Sequence, residues 1–594
     1  MAHLKRATGL LATASIVGLD FSAADDARKM PEPPQIVANF VSHENVRSHF
    51  FNNMYRPILL PDGRLMAVSP VGRLERARMQ ARYSTDDGRT WSDPEDLFDW
   101  PKEASKFYTI EVLLDRGGEL NIAMVCDEAM WYNRSTNHRT RWGAPKTIFR
   151  GAPGNPLSFI QLKSGRLILP FDFFPGRNWE NRGGGFADFT FLGQSSITTV
   201  YSDDNGETWQ RSPVDVTVET PDLSTWGASE PAVLELKNGQ VWMLIRTQRG
   251  RFYEAFSDDG VHWGPSKPTT LVSSDSPATL IRLKDGSILM FSNACMRYPY
   301  AYGARNVLHV AISKDEGRSW RGYREVARDP LRGEPPLAEG DYGLSYTFPT
   351  LTPDGKVLFT NWVQSGRDRS FRLLDPGWIY ETRQSTDFSK GIEDWSSFAT
   401  KGVQLQLDPG ETDAQVLSVR KADKDWPSGA VWNFPIGARG KLEIQLMLQT
   451  GFNGSNLGLT DHFSVPWDQE AEFYNVFNLP IPGNGRIFPS FRVATGRWYQ
   501  LTLDWNTESR KCRVLIDGKF AGTVEDNRRA IGLNYLRLRS VSPQPDSGLL
   551  LRNVSVDVSA SWPDAKESAN TRPPIQRSQK KTASAKILTL SDVR

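Results

Sequence analysis

A short polar motif closed by tryptophan recurs along the first part of the chain, and repetition constrains a fold more than any other sequence feature. Each copy follows a run of β-forming residues and places Ser, Asp, Gly and Trp at similar spacing. The copies lie at Ser84–Trp91, Ser202–Trp209 and Ser313–Trp320, with a shortened one at Ser257–Trp263. The Asp side chain can accept hydrogen bonds from turn N–H groups, Gly can take a positive φ, and Trp can pack beneath the turn. The motif therefore predicts a repeated hairpin.

A second repeated element alternates with the first: a strand, a tight turn ending in Gly, and another strand. It occurs six times, at 55–68, 108–125, 156–169, 230–245, 276–291 and 348–359. Two hairpin signals per period of roughly 50 to 60 residues predict four-stranded sheets in tandem, which is the sequence signature of a β-propeller. The six strand pairs predict six blades within residues 35–380.

The pattern changes after residue 385. Alternating strands separated by Gly, Asn and Asp turns continue to about residue 560, and no run has the helical period. This predicts a β-sandwich over 385–560, which we assign to the jelly-roll type. The predicted fold class is therefore all-β, a six-bladed β-propeller followed by a jelly-roll β-sandwich. Residues 561–594 are polar, rich in Ser and Lys and broken by Pro, so we expect a disordered tail.

The N-terminus has the pattern of an export signal. Lys5 and Arg6 precede an 11-residue apolar run, Gly9–Leu19, which is too short to span a bilayer. Small residues then offer a cleavage site after Ala24. We expect a signal peptide over 1–24 and a periplasmic or secreted mature protein; a buried helix is the alternative. No later run reaches about 18 apolar residues, so we predict no membrane span.

Charge, cysteine and histidine content exclude several function classes. Lys and Arg number 71 against 69 Asp and Glu, a net charge of +2, which excludes a strongly basic nucleic-acid binder. The three cysteines lie far apart and form no zinc ribbon; buried thiols are favoured, and one disulfide stays possible. The seven histidines show no metal-ligand spacing. We expect neither a metal nor an organic cofactor.

The repeated motifs resemble those of the sialidase (neuraminidase) superfamily, over about residues 35–375. Its members carry these motifs, called BNR repeats or Asp boxes, on a six-bladed propeller. The resemblance implies that the motifs stabilise outer turns, while the chemistry lies on inner strands near the central axis.

In the second half, residues 497–524 resemble concanavalin-like or laminin-G-like domains, which often bind glycans. A purely structural partner of the propeller is the equal alternative.

Three arginines are implied by the resemblance as ligands of a substrate carboxylate. A guanidinium group binds a carboxylate in a bidentate way and is permanently charged, which Lys cannot copy. The matching positions are Arg56, Arg246 and Arg305, with Arg297 as the alternative to Arg305. For each arginine taken alone, a solvated surface charge is the competing interpretation.

The resemblance also implies a Tyr nucleophile that is polarised by a Glu, an exception to the two-carboxylate rule of glycosidases. Glu230 matches that Glu, because it opens the strand pair that Arg246 closes 16 residues later. Tyr346 matches the nucleophile by its place nine residues before the turn glycine Gly355.

A second alignment, based on the chain's own strand pairs, leaves the nucleophile open. It equates Phe348-Pro349 with Arg56-Pro57 and with Glu230-Pro231. Phe348 would then occupy the nucleophile's position, and Tyr342 or Tyr346 would have to reach in from a neighbouring position, or no tyrosine would act.

The acid/base residue of the family should be an Asp in the loop that follows the first arginine's hairpin. Residues 69–84 contain no Asp, and Glu75 is their only carboxylate. A Glu can do the same proton work with a longer reach. We therefore assign Glu75 as the acid/base candidate; a surface residue among neighbouring arginines is the alternative.

These observations predict an exported, exo-acting, retaining glycoside hydrolase that cleaves a terminal acidic sugar, such as sialic acid, from glycans. The missing Asp keeps two alternatives open. One is a polysaccharide lyase or another glycosidase on the same propeller, and the other is a non-catalytic glycan-binding protein. The expected partner is a glycan, with no nucleic acid; the oligomeric state stays open.

Overall fold

The structure is a computed structural model, and it describes residues 33–39, 56–71, 78–103, 107–126, 129–151, 153–173, 195–219, 227–296, 305–333, 344–362, 370–398, 401–411 and 413–562. The predicted signal peptide (1–24) and residues 563–594 of the predicted tail lie outside this part of the chain.

The all-β prediction is confirmed. Within the described residues, the helical segments are three short 3-10 helices, at Pro376–Tyr380, Glu470–Tyr474 and Ser559–Ser561. In the same part of the chain, we find no helix with the length and apolar character needed to cross a membrane.

Six antiparallel sheets account for the described strands between residues 35 and 374; each has four strands except the second, which has five. The strands are β1 (Gln35–Asn39), β2 (Arg56–Leu59), β3 (Leu65–Val71), β4 (Arg78–Ser84), β5 (Glu95–Asp99), β6 (Phe107–Leu114), β7 (Leu120–Cys126), β8 (Ala129–Thr136), β9 (Arg141–Trp142), β10 (Lys146–Arg150), β11 (Ile160–Gln161), β12 (Leu167–Phe173), β13 (Ser196–Ser202), β14 (Gln210–Arg211), β15 (Ser229–Glu235), β16 (Val241–Arg246), β17 (Arg251–Ser257), β18 (Lys267–Val272), β19 (Thr279–Arg282), β20 (Ile288–Ser292), β21 (Val307–Ser313), β22 (Arg321–Arg328), β23 (Ser345–Leu351), β24 (Val357–Trp362) and β25 (Ser370–Leu374).

Each sheet is built from consecutive strands, except that the N-terminal strand joins the last one. The first five sheets contain β2–β5, β6–β10, β11–β14, β15–β18 and β19–β22. The sixth has the order β1-β25-β24-β23, so its outer strand comes from the start of the described chain. Because the first strand pairs with the last sheet, the two ends of this region are held together by backbone hydrogen bonds.

Neighbouring sheets contact one another in chain order. Strand β2 contacts β6, β12 contacts β15, β15 contacts β19, and β19 contacts β23. The second and third sheets share a hydrophobic cluster that contains Ala123 and Phe171. Strand β23 of the sixth sheet contacts β2 of the first, which completes a ring of contacts.

The repeated motif forms hydrogen-bonded turns of the kind its residues predict. In the first copy, Asp86 accepts from the backbone N–H of Thr90 at 2.8 Å and from its hydroxyl at 2.6 Å. The indole of Trp91 donates to the carbonyl of Gly88 at 2.9 Å, and Gly88 has a φ of 84°. The copies at Ser202–Trp209 and Ser313–Trp320 repeat these bonds. The motif therefore closes the turn after the third strand of its sheet.

The second half is a two-layered β-sandwich. Its strands are β26 (Arg383–Thr386), β27 (Trp395–Ser397), β28 (Val403–Leu407), β29 (Gln415–Val419), β30 (Ser428–Gly437), β31 (Arg439–Leu448), β32 (Gly454–Thr460), β33 (Phe477–Pro482), β34 (Arg486–Phe488), β35 (Phe491–Arg492), β36 (Trp498–Asn506), β37 (Lys511–Ile516), β38 (Lys519–Glu525), β39 (Leu533–Ser540) and β40 (Leu549–Asp557). One sheet has the order β28-β29-β40-β31-β36-β37-β38, with β26 also beside β40, and the other has the order β27-β30-β39-β32-β33. A single core that includes Trp395, Trp432 and Trp505 lies between them.

All three cysteines are buried and none of them forms a disulfide, which confirms the buried-thiol interpretation. Cys295 contributes to a small cluster with Phe463 and Tyr535, at the junction between the two halves of the chain.

That junction contains a buried polar network. The hydroxyl of Tyr535 on β39 donates to Glu325 on β22 at 2.7 Å, and it lies 2.5 Å from Nε2 of His309 on β21. Burial lowers the pKa of His309 to about 4, so its imidazole is neutral at neutral pH. Burial opposes ionisation of Glu325, but the Arg328 guanidinium and the other donors still hold its pKa below the usual value. The sandwich is thus joined to the fifth sheet through a buried charge and not only through apolar contact.

We predict that Tyr535→Phe destabilises the protein by about 2 kcal/mol, because it removes the hydroxyl that donates to Oε1 of the buried Glu325 carboxylate and leaves Arg328 as the donor to Oε2. The free energy of unfolding, from urea denaturation, measures this. Tyr201→Phe is the matched control, since its hydroxyl bonds Gln210 at the surface, and it should cost much less. Equal effects of the two substitutions would contradict the importance of the junction.

Candidate active site

Glu230 and Tyr346 occupy equivalent and unusual backbone positions, at the starts of the inner strands β15 and β23. Their φ angles are 42° and 53°, in the left-handed region that non-glycine residues rarely adopt. The pairing register of each strand shifts around this residue. Such bulges re-aim a side chain, and strained backbone of this kind costs about 1–3 kcal/mol and clusters at functional sites.

The bulges correct part of the second alignment. Phe348 does correspond to Arg56. Phe348 lies three residues before Leu351, which pairs with Val357 across the hairpin. Arg56 likewise lies three residues before Leu59, which pairs with Leu65. The equivalence of Phe348 with Glu230 was wrong, because the bulge adds residues before the paired part of the strand. The counterpart of Glu230 is Tyr346, and both lie nine residues before their turn glycines.

Glu230, Tyr346 and Arg246 form one hydrogen-bonded unit. The Tyr346 hydroxyl donates to Oε1 of Glu230 at 2.8 Å. Nη1 of Arg246 donates to Oε2 of Glu230 at 2.5 Å and to the Tyr346 hydroxyl oxygen at 3.2 Å. Asn155 donates to Oε1 of Glu230 at 2.9 Å, so both carboxylate oxygens are held. The tyrosine proton therefore points at a fixed carboxylate.

The tyrosine is neutral in this setting. Its side chain is buried, and burial together with the Glu230 charge raises the pKa of Tyr346 well above its usual value. A hydroxyl of this kind can act as a nucleophile only if its proton is removed as it reacts. Glu230 is the group placed to receive that proton.

Asp275 links two of the predicted arginines. Its Oδ1 accepts from Nε of Arg246 at 2.6 Å, and its Oδ2 accepts from Gln248 at 2.9 Å. Its backbone carbonyl accepts from Nη2 of Arg305 at 3.0 Å. The Arg305 guanidinium in turn lies 5.3 Å from the centre of the Tyr346 ring. Burial opposes the charge of Arg246, but Asp275 and Glu230 together raise its pKa above the usual value.

Arg56 lies beside this unit. Nη2 donates to Glu111 and to Thr109, each at 3.1 Å, and Nε donates to the carbonyl of Ile110 at 3.0 Å. The guanidinium stacks on the ring of Phe348, 3.1 Å from its centre. Among the described residues, its Nη1 is buried with no hydrogen-bond partner.

Phe348 connects Arg56 to the nucleophile candidate, since it packs against Tyr346 and Leu157 in one buried cluster. Burial raises the pKa of Glu111 to about 7 and lowers the pKa of Arg56 to about 10, because neither charge is solvated. The structure thus brings together five of the six predicted site residues.

Three predicted positions lie outside the described residues. They are Glu75, Tyr342 and Arg297.

The described residues contain no group of three or more His, Cys, Asp or Glu side chains that could hold a metal ion.

Several residues of the site were missed in the sequence, namely Asn155, Asp172, Gln248, Asp275 and Glu111. For two of them a signal exists. Glu111 and Asp172 are lone carboxylates in otherwise apolar strands, and such residues are rarely buried without a partner. The others lie in connections between strands and have no local signal.

Residues 124–358 match the family described as BNR repeat-like domain. The chain is also similar to a sialidase of Micromonospora viridifaciens, with 24% identity over 432 residues. That alignment covers 62% of this chain and 58% of the relative, which is less than two thirds of the relative's length.

Solved structures with likeness to the chain include Trypanosoma rangeli sialidase in complex with the inhibitor DANA, at 15% identity and a TM-score of 0.39; the match covers 86% of this chain and 92% of that one. A protein of unknown function from Dyadobacter fermentans matches at 14% identity and a TM-score of 0.41, over 58% of this chain and 99% of that one.

We predict that Asp275→Ala destabilises the protein by about 3 kcal/mol, because it removes one of the two carboxylates that pair the buried Arg246. Asp275→Asn should cost less, since an amide oxygen can still accept from Nε. Chemical denaturation measures both. Asp504→Ala, which removes an exposed partner of Arg513, should cost less than about 1 kcal/mol. An Asp275→Ala protein as stable as Asp504→Ala would contradict this account of Arg246.

Proposed function

We propose that this protein is a retaining, exo-acting glycoside hydrolase of the sialidase type, which removes a terminal acidic sugar from glycans. The observation that carries the proposal is the hydrogen-bonded unit of Tyr346, Glu230 and Arg246. A tyrosine on strained backbone, whose proton faces a fixed carboxylate beside a buried arginine, is the arrangement that a tyrosine nucleophile requires.

We further propose that residues 35–380 form a six-bladed propeller and that residues 385–560 form a jelly-roll, concanavalin-like sandwich. The ring of contacts among six sheets supports the first part. Arg56, Glu230, Arg246, Arg305 and Tyr346 come from the first, fourth, fifth and sixth sheets or the segments beside them, and inner strands of a propeller meet at its axis. This placement agrees with a site at one mouth of the ring.

The proposed first step transfers the sugar to Tyr346. Its oxygen forms a bond to the anomeric carbon while the glycosidic C–O bond breaks, and its proton passes to Glu230. The leaving oxygen takes a proton from the acid/base residue, so the aglycone leaves as an alcohol. A neutral tyrosine avoids the charge repulsion that a carboxylate nucleophile would meet at an anionic sugar.

The second step returns the enzyme to its starting state. Water attacks the anomeric carbon, the bond to the Tyr346 oxygen breaks, and the acid/base residue accepts the proton of the water. Tyr346 regains its proton from Glu230. Two displacements at the same carbon give net retention of configuration.

Substrate binding is assigned to Arg56, Arg246 and Arg305. Arg56 has a buried Nη1 with no partner in the described part of the chain, which suits it to a substrate carboxylate. Arg305 and Arg246 are held at adjacent positions by Asp275. We propose Glu75, in the segment after β3, as the acid/base residue. This assignment implies that the scissile bond lies next to Glu75 in the complex with substrate.

The absence of Asp from residues 69–84 favours a second candidate. In it, the same arginines neutralise the carboxylate of a uronic acid. Tyr346, whose own proton passes to Glu230, removes the proton from the carbon that carries this carboxylate while the glycosidic C–O bond at the next carbon breaks. The departing oxygen takes a proton from the acid/base residue, and the product is unsaturated. A glycosidase with a different specificity and a non-catalytic glycan-binding protein are the remaining alternatives.

The proposal also includes export to the periplasm or the medium, with cleavage of the signal peptide after Ala24.

We predict that the purified protein hydrolyses a fluorogenic α-sialoside, and that Glu230→Gln lowers kcat by about a hundredfold or more, because an amide cannot accept the tyrosine proton. Arg246→Ala should abolish measurable turnover. Glu508→Gln, on the exposed surface of the sandwich, should leave the rate unchanged.

Three results would contradict the proposal. They are no release from the sialoside by the unaltered protein, full activity of Glu230→Gln, and an inverted first product in an NMR time course. Unsaturated products from a uronic acid polysaccharide would establish the lyase instead. Glycan binding with no catalysis, unchanged by Glu230→Gln, would establish the binding protein.

A further inference from the structure

Asp172 is a buried carboxylate directly behind Glu230. It interrupts the apolar strand β12, and it is only 4% exposed. Its Oδ1 accepts from the backbone N–H groups of Asn155 at 3.0 Å and of Glu230 at 3.3 Å. Its Oδ2 accepts from the Ser229 hydroxyl at 3.2 Å. Asp172 is the one charged residue in β12.

These contacts reach Glu230 by two routes. The first is through the backbone, because Ser229 and Glu230 form the bulge with the strained φ of 42°. The second is through Asn155, whose backbone is held by Asp172 and whose side-chain amide donates to the Glu230 carboxylate at 2.9 Å. Asp172 therefore fixes both the main chain and the side-chain carboxylate of Glu230.

Gly154 makes this approach possible. Its backbone N–H donates to the carbonyl of Asp172 at 2.5 Å. A Cβ at this position would lie 2.5 Å from the Asp172 carboxylate, which no relaxed structure tolerates. The absence of a side chain at Gly154 therefore leaves the space that the Asp172 carboxylate occupies.

We propose that Asp172 is a positioning residue, which holds Glu230 in its strained conformation and keeps its carboxylate aimed at the hydroxyl of Tyr346. The proposal rests on the proposed role of Glu230 as the base for Tyr346. Asp172 touches neither the nucleophile nor the substrate-binding arginines in the contacts above.

The charges around Glu230 are compatible with this role. Arg246 on β16 is its positive neighbour, and beyond it Asp275 shares that charge. Tyr346 on β23 and Asn155 are neutral donors, and Arg305 lies on the far side of the tyrosine ring. Asp172 on β12 is the negative neighbour. Burial, with the Glu230 charge as the second cause, raises the pKa of Asp172 to about 6.

Asp172→Asn separates charge from shape. The Asn Oδ1 can accept from both backbone N–H groups, and its Nδ2 can donate to the Ser229 hydroxyl oxygen, so every contact is kept. With a fluorogenic sialoside, we expect Asp172→Asn to keep kcat within about threefold of the unaltered protein. Asp172→Ala loses these contacts, so its kcat should fall by about tenfold or more while KM changes little.

Gly154→Ala disturbs the same contacts without changing Asp172, because the added Cβ displaces the carboxylate. It should also lower kcat and leave KM nearly unchanged. Circular dichroism checks that all three variants fold. An Asp172→Ala protein with the kcat of Asp172→Asn, or an unchanged kcat in Gly154→Ala, would overturn the positioning role.

If the unaltered protein cleaves no sialoside, the proposed function fails, and a cycle of unfolding measurements still decides on Asp172. Its folded pKa is raised, so ionisation of Asp172 costs stability as pH rises from about 4 to 6. We expect the unaltered protein to lose stability relative to Asp172→Asn over this interval, and to lose less in a Glu230→Gln background. Equal losses in both backgrounds would overturn the coupling of the two charges.

Discussion

The buried guanidinium of Arg246 is shared between two carboxylates, Glu230 on its own hairpin and Asp275 in the next sheet. A buried cation with no partner is prohibitively costly, so these three side chains are mutually required. Asp275 also holds Arg305 through its carbonyl, and Glu230 also holds the hydroxyl of Tyr346. One ion-paired cation thus fixes the relative positions of groups from three sheets, and the candidate chemistry depends on that arrangement.

Local patterns predicted the parts of the fold in which the interacting groups are close in sequence. The turn from Ser84 to Trp91 is closed by bonds that span at most four residues, so its residues suffice to predict it. Glu230 and Arg246 were predicted together because they are the two ends of one hairpin, in which Ser229 pairs Arg246. Tyr346 needed the structure, because a bulge changes the count along the strand and local alternation does not reveal it.

Interactions between sheets could not be read from the sequence in the same way. Asp172 and Glu230 are 58 residues apart, and nothing near either residue indicates that they meet. Tyr535 alternates along β39 with apolar residues, and nothing in that pattern indicates that the fifth sheet covers its face. Covering an outward face with another sheet turns its polar residues into buried ones, which explains why the junction is a hydrogen-bonded network that includes His309 and Glu325.

The central claim is that Tyr346 forms the covalent bond to the sugar. The most direct measurement is to incubate the protein with 2,3-difluorosialic acid, whose fluorine beside the anomeric carbon slows hydrolysis of a glycosyl-enzyme, and to locate the adduct by mass spectrometry of peptides. The account predicts one adduct, on the peptide that contains Tyr346, and none in Tyr346→Phe. An adduct on any other residue, or retained sialoside turnover by Tyr346→Phe, would contradict it.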